Sequence, residues 1–107
     1  MPITRIDPQQ ANSLLTQNSK PTLLDVREVW EHEICHLSDA ILIPMMTVAD
    51  NSKLPEKDQT IIVYCHHGIR SLHVCHFLAA NGYENLYNLE GGIDAWARSI
   101  DSTMTTY

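Results

Sequence analysis

The stretch from Thr60 to Ser71 has the sequence TIIVYCHHGIRS and decides the fold. Residues 60–64 form the strongest strand pattern in the chain, and their continuous apolarity predicts burial on both faces of a sheet. From Ser71 onward, apolar residues recur at helical spacing. Cys65 therefore lies between a buried strand and a helix N-terminus, where unpaired N–H groups and the helix dipole favour a sulfur anion.

The loop from Cys65 to Arg70 is short, so its backbone must curl tightly with several N–H groups pointing inward around the sulfur. Such a nest of amides binds an anion without help from side chains. Gly68 permits the positive φ or the close approach that a tight curl requires. Arg70 adds a forked, charged donor that can hold either an oxyanion or an acidic neighbour. The loop predicts covalent chemistry at the thiol.

Strands and helices alternate along the rest of the chain. Strand patterns cover residues 22–26, 40–43, 60–64 and 85–89, and helical patterns cover residues 8–17, 28–34, 71–81 and the segment from 92 onward. This alternation predicts an α/β domain with a largely parallel sheet covered on both faces. Ligands bind such sheets at the carboxyl ends of the strands, an edge that the Cys65 loop and the Asp25-Val26-Arg27 turn would both reach.

Composition limits the number of domains and the partners. A chain of 107 residues with 44% hydrophobic residues predicts one domain over residues 1–107, with a loosely ordered tail from about residue 101, where periodicity ends. The formal net charge of −6 disfavours nucleic acid and anionic membrane surfaces. No apolar run approaches the ~20 residues that span a bilayer, and no signal-peptide pattern opens the chain. We therefore expect a cytoplasmic protein, and a monomer.

Three motifs resemble those of the single-domain rhodanese family: Leu24-Asp25-Val26-Arg27-Glu28, Cys65-x-x-Gly68-x-Arg70-Ser71, and Asn88-Leu89-Glu90-Gly91-Gly92-Ile93-x-x-Trp96. Together they span nearly the whole chain. The resemblance implies a three-layer domain whose mostly parallel five-stranded sheet carries helices on both faces. It also implies a sulfurtransferase that needs no cofactor. Such an enzyme takes a sulfane sulfur from a donor such as thiosulfate, holds it as a cysteine persulfide, and passes it to cyanide or a cellular thiol.

The resemblance assigns roles to residues by position. Cys65 is the nucleophile, and the backbone amides of the loop cradle the persulfide: His66, His67, Gly68, Ile69, Arg70 and Ser71. Asp25 and Arg27 match a pair that braces this edge through charge-assisted contacts. The side chains of His66 and His67 are expected to tune donor preference rather than to transfer protons. Glu90 and the Gly91-Gly92 pair are expected to cap and pack the last helix, and Trp96 to lie in the core.

Other functions stay open at this point. Phosphatases and arsenate reductases of the same fold use one more residue between cysteine and arginine, so the shorter loop suits a single sulfur atom. Rhodanese-like protein-binding modules typically lack the cysteine or the arginine, and this chain keeps both. A persulfide carrier would relay sulfur from a cysteine desulfurase to a dedicated partner and would turn thiosulfate over slowly.

Other cysteines and histidines offer weaker candidates. Cys35, Cys65 and Cys75 are an odd number and do not suggest a disulfide framework, and Cys35 could either resolve the persulfide or be an ordinary buried residue. His32, Cys35 and His36 share helical spacing, as do His73 and His76, but neither set completes a metal-ligand pattern, so we expect no metal. The family's Pro-Gly-Ala step is replaced by Ser38-Asp39-Ala40, where Asp39 can adopt a left-handed turn.

Overall fold

The computed structural model describes residues 2–107 and contains a five-stranded sheet with the order β1-β5-β4-β2-β3. The strands are β1 (Ile3–Ile6), β2 (Thr22–Asp25), β3 (Ile41–Leu42), β4 (Ile61–Tyr64) and β5 (Leu86–Leu89). The helices are α1 (Pro8–Leu15), α2 (Val29–Ile34), α3 (Ile69–Ala80) and α4 (Gly92–Ser99), with a 3₁₀ helix at Met45–Asp50. Neighbouring strands are parallel throughout, so the predicted α/β class is confirmed.

Strand β4 lies at the centre of the sheet, and all of its residues are buried. It pairs with β2 on one side and β5 on the other, with Tyr64 opposite Asp25 and Val63 opposite Asn88. Parallel pairing places the carboxyl ends of these strands at one edge of the sheet. The loop that follows Tyr64 therefore leaves the sheet beside the turn that follows Asp25.

Helices cover both faces of the sheet. On one face, Val74, Cys75 and Leu78 of α3 pack against buried residues of β2, β4 and β5. On the other face, α1 and α4 pack together through Ala11 and Trp96, and Trp96 is buried as predicted. The strands bury both of their faces, which explains the continuous apolarity of β4.

Helix α1 and strand β3 are each two residues shorter than predicted, and two further differences have clear physical reasons. Strand β1 was not predicted, because its four residues, ITRI, include exposed Thr4 and Arg5 and it lies at the edge of the sheet. It forms through parallel pairing with β5, which no local pattern reveals. Helix α3 begins at Ile69, two positions before the predicted Ser71, because Gly68 caps it with a φ of 103°.

The turn before β3 has the conformation expected for it, since Asp39 has a φ of 66°. The tail beyond α4 packs back on the domain, with Met104 and Tyr107 against the core on the α1 and α4 face. The loose order predicted for the tail stays a prediction, and Met1 lies outside the described residues. Within residues 2–107, no helix is both long and apolar enough to cross a bilayer.

The start of α4 lies directly against the Cys65 loop. The N–H of Ile93 donates to the carbonyl of Cys65 at 2.9 Å, and the N–H of Asp94 donates to the carbonyl of His66 at 3.1 Å. Gly92 has a φ of 62°, and a Cβ built on it would lie 2.3 Å from the His66 carbonyl oxygen. Only glycine therefore fits between helix and loop.

We expect Gly92→Ala to destabilise the protein by at least about 3 kcal/mol, because the added methyl group meets backbone that cannot move aside. Gly82→Ala is the matched control, since Gly82 also has a positive φ but an added Cβ there meets only the Lys57 side chain, at 3.4 Å. That control should cost only about 1 kcal/mol. Urea unfolding measures both, and equal losses would contradict the close approach at Gly92.

Candidate active site

The sulfur of Cys65 lies inside the curled loop and is almost inaccessible, with the residue 1% exposed. The N–H of Gly68 donates to Sγ at 3.1 Å, and the N–H of Ser71 donates at 3.4 Å. The hydroxyl oxygen of Ser71 also lies 3.4 Å from Sγ. These N–H groups come from the first turn of α3 and its cap, where helix geometry leaves them without partners. Together they form a cradle for negative charge on sulfur.

The curl depends on Gly68 and on a buried amide beneath it. The positive φ of Gly68 turns the chain, and a Cβ there would lie 3.2 Å from the Gly91 nitrogen. The Asn88 side chain donates to the Gly68 carbonyl at 3.2 Å from a fully buried position on β5. Sequence reasoning missed this role of Asn88, although a polar residue within an apolar strand was the available signal.

The Arg70 side chain binds an acidic neighbour, Glu31. Its guanidinium donates to both carboxylate oxygens of Glu31, at 2.7 and 2.9 Å. Hydrogen bonds from Arg70 outweigh the effect of burial and lower the pKa of Glu31 from its usual 4.5 to about 2. The sequence left two kinds of partner open for Arg70, an oxyanion or an acidic neighbour. In the structure its partner is the acidic residue Glu31. Glu31 was missed, although its position three residues after Glu28 is a helix-start pattern.

Asp25 and Arg27 form a buried ion pair beside the loop. Arg27 donates to the two Asp25 carboxylate oxygens at 2.9 and 2.7 Å, and both residues are fully buried. Tyr64 and His32 also contact Oδ2 of Asp25, at 3.1 and 2.8 Å. Burial by itself would raise the pKa of Asp25. The hydrogen bonds from Arg27 and His32 and the charge of Arg27 outweigh burial, so the pKa lies below its ordinary value and the carboxylate stays ionised.

His66 and His67 differ in exposure. The His67 side chain is 60% exposed and lies 3.8 Å from Asp94. The His66 ring is stacked on Tyr107, with centroids 3.8 Å apart and planes at 7°. Burial, and next the charge of His67, lower the pKa of His66, so its ring is neutral at pH 7. Tyr107 was missed because nothing in the tail pattern points to the site.

Metal-ligating side chains come together at one place within residues 2–107: the ligand atoms of His66, His67 and Asp94 lie within 4.8 Å of one another. Asp94 already pairs with Arg98 at 2.6 Å. This grouping is not one of the two suggested by spacing in the sequence.

The other cysteines have different surroundings from Cys65. Cys35 is half-buried, and its carbonyl accepts a hydrogen bond from Arg27 at 2.7 Å. Cys75 is fully buried, and burial, with smaller contributions from Cys65 and Glu90, raises its pKa to about 12. The Cys75 thiol therefore stays protonated at neutral pH and is a poor nucleophile.

The fold and this site define an α/β domain with a cysteine-bearing anion loop. The sequence model described as a rhodanese-like domain matches residues 7–99, and the chain belongs to that family. It is similar to the thiosulfate sulfurtransferase GlpE of Haemophilus influenzae, with 34% identity over the whole of both chains. A sulfurtransferase of Allochromatium vinosum is 32% identical, with 90% of each chain covered.

The fold also matches a solved structure. A rhodanese-like domain protein from Staphylococcus aureus superimposes with a TM-score of 0.83 at 30% identity, over 97% of this chain and 98% of that one. The resemblance inferred from three short motifs is therefore confirmed across nearly the full chain.

We expect Glu31→Gln to lower the free energy of unfolding by about 1–3 kcal/mol at pH 7, because Arg70 then faces an uncharged partner. The folded-state pKa of Glu31 is depressed, so its stabilisation is present above pH 4.5 and is lost as pH falls through about 2. The difference between wild type and Glu31→Gln should therefore shrink over that range.

Denaturant unfolding at several pH values measures this difference. Glu33→Gln is the control, since Glu33 is exposed on the same helix. A difference that stays constant from neutral to acid pH would contradict the depressed pKa of Glu31.

Proposed function

We propose that this protein is a rhodanese-type sulfurtransferase that moves a sulfane sulfur from a small donor such as thiosulfate to a thiophilic acceptor. The observation that carries the proposal is the buried Cys65 sulfur with the N–H groups of Gly68 and Ser71 directed at it. Relatives that match over at least 95% of both chains support it, since they are named thiosulfate sulfurtransferases.

In the first half-reaction, the Cys65 thiolate attacks the outer sulfur of thiosulfate. A bond forms between the two sulfurs, the sulfur–sulfur bond of thiosulfate breaks, and sulfite leaves with the electron pair. Cys65 then carries a persulfide with a negative outer sulfur. The amides of residues 66–71 are the groups we assign to this charge, because donors fixed before reaction cost no reorganisation.

In the second half-reaction, cyanide or a thiolate attacks the outer sulfur. The persulfide bond breaks, its electron pair returns to Cys65 as thiolate, and thiocyanate or an acceptor persulfide leaves. No net oxidation or reduction occurs, so the cycle needs no cofactor. In this scheme the protein supplies the Cys65 nucleophile and an anion cradle, and Asp25 and Arg27 brace the edge of the sheet.

Phosphate chemistry fits this site less well. In phosphoryl transfer, charged groups stabilise the charge on the oxygens of the transferred group. Here both outer nitrogens of Arg70 are hydrogen-bonded to Glu31, and the groups directed at the sulfur are backbone amides and one hydroxyl. A cradle of this kind accommodates one sulfur atom more readily than a tetrahedral oxyanion.

A persulfide carrier is the second candidate, favoured by exposed apolar side chains near the site. Trp30 is 58%, Met46 85% and Ile69 70% exposed. They follow β2, β3 and β4, at the edge where the cysteine lies. A relay protein that delivers or accepts sulfur could cover such residues.

The three cysteines are all unpaired within residues 2–107, which fits thiol chemistry in a reducing compartment, and we propose the cytoplasm. A single small domain also fits a monomer.

Thiosulfate should add one sulfur atom to the wild-type protein in a thiol-reversible manner, and Cys65→Ser should gain none. Intact-mass spectrometry measures both. Cys35→Ser is the control and should still gain the sulfur; a persulfide that persists longer in this variant would show that Cys35 resolves it.

Steady-state assays separate the remaining functions. Fast thiocyanate formation supports the enzyme, whereas slow turnover with rapid loading from a persulfidated protein supports the carrier. Absence of sulfur uptake together with hydrolysis of a phosphate ester would overturn the proposal.

A further inference from the structure

The tail beyond α4 returns to the active-site edge. Asp101 begins this return, with its N–H donating to the Trp96 carbonyl at 3.2 Å and its carboxylate accepting from the Thr103 N–H at 3.1 Å. Met104 then packs against the core, and Tyr107 reaches the loop. The family model matches residues 7–99, so residues 100–107 lie beyond its span.

The phenol of Tyr107 bridges a buried ion pair and a partly buried one. It donates to Oε2 of Glu31 at 2.7 Å and accepts from Nη1 of Arg27 at 2.9 Å. Glu31 is the partner of Arg70, and Arg27 is the partner of Asp25. Burial, and next the hydrogen bond to Glu31, raise the pKa of Tyr107 to about 12, so the phenol remains a donor at neutral pH. The hydroxyl is therefore anchored on both sides.

The ring of Tyr107 holds His66, the residue that directly follows the nucleophile. One face of the imidazole lies on Tyr107, and His67 lies 3.9 Å away by ring centroids. The Nε2 atom of His66 is buried and has no hydrogen-bond partner within the described residues. No hydrogen bond holds the ring at this nitrogen, and its face is covered by the stack on Tyr107.

A donor must pass the loop side chains to reach the sulfur. Cys65 belongs to the buried cluster with Val63 of β4 and Val74 of α3, so the sheet and the helix close its inner side. A reagent therefore reaches the sulfur from the side of the loop, where His66 directly follows Cys65 and its ring stacks on Tyr107.

We propose that Tyr107 is a positioning residue that locks His66 beside the Cys65 sulfur and thereby limits access to small reagents. This role rests on the proposed function for the nature of the substrate. It deepens that function, because a locked His66 selects small sulfane donors over bulky ones. Removing the aromatic ring frees His66 to rotate and widens the passage. A small donor such as thiosulfate gains little from this change, whereas a donor with an aryl group gains much.

The test compares alkylation of Cys65 by N-methylmaleimide and N-phenylmaleimide, which react in the same way but differ in size. Peptide mass spectrometry quantifies labelled Cys65, and the phenyl-to-methyl rate ratio is normalised to that of free cysteine. Tyr107→Ala should raise this ratio about tenfold, since an aromatic contact of ordinary strength is lost. Tyr107→Phe keeps an aromatic ring for His66 to stack on and should raise the phenyl-to-methyl ratio less than Tyr107→Ala does.

Tyr83→Phe is the matched control, because its hydroxyl donates to the Pro55 carbonyl at 2.7 Å, away from the loop. It should leave the ratio unchanged. An unchanged ratio in folded Tyr107→Ala would overturn the proposal, as would an equal rise for both reagents, which indicates general loosening.

Sulfur transfer gives a separate readout. In Tyr107→Ala, the ratio of kcat/KM for an aryl thiosulfonate to kcat/KM for thiosulfate should rise about tenfold relative to wild type. A purely structural role would lower both in parallel, and that result would count against the proposal. Maleimide labelling does not depend on sulfur transfer. A wild-type protein without persulfide therefore refutes the sulfurtransferase function, while the labelling ratio still decides the role of Tyr107.

Discussion

The buried charge of Arg27 is the constraint on which this site depends. A fully buried guanidinium is stable only when its donors are satisfied and its charge is paired. Its partners are the Asp25 carboxylate, the carbonyls of Glu31 and Cys35, and the Tyr107 hydroxyl. These groups come from β2, α2, the turn after α2 and the tail. Satisfying one cation therefore sets the relative positions of four segments around the carboxyl edge of the sheet.

A chain of hydrogen bonds connects Arg27 to the loop that carries Cys65. Glu31 accepts from both Tyr107 and Arg70, so the same carboxylate joins the buried pair to the helix that follows Cys65. Because Arg70 is engaged in this way, the cradle consists of amides from the N-terminal turn of α3 and the Ser71 hydroxyl. The charged side chains pair with one another and fix the positions of the surrounding segments. The neutral backbone amides of Gly68 and Ser71 face the sulfur.

Features that follow local rules were predictable from sequence. The buried strand β4, the glycine-bearing curl at Gly68 and the left-handed Asp39 follow from patterns within a few residues. Strand β1 was not predictable, because its two exposed residues hide the pattern and its pairing with β5 is distant in sequence. Asn88 and Glu31 were visible as polar residues in suggestive places, but their partners were not.

The sequence by itself determined the α/β class and the family, and it is the basis for proposing Cys65 as the nucleophile, because strand and helix periodicities and the spacing within residues 65–71 are local properties. Only the tertiary structure decided where Arg70 points and what covers His66. The contacts responsible join Arg70 to Glu31, 39 positions away, and Tyr107 to His66. Such contacts arise from the packing of segments around a buried charge, and no pattern along the chain encodes them.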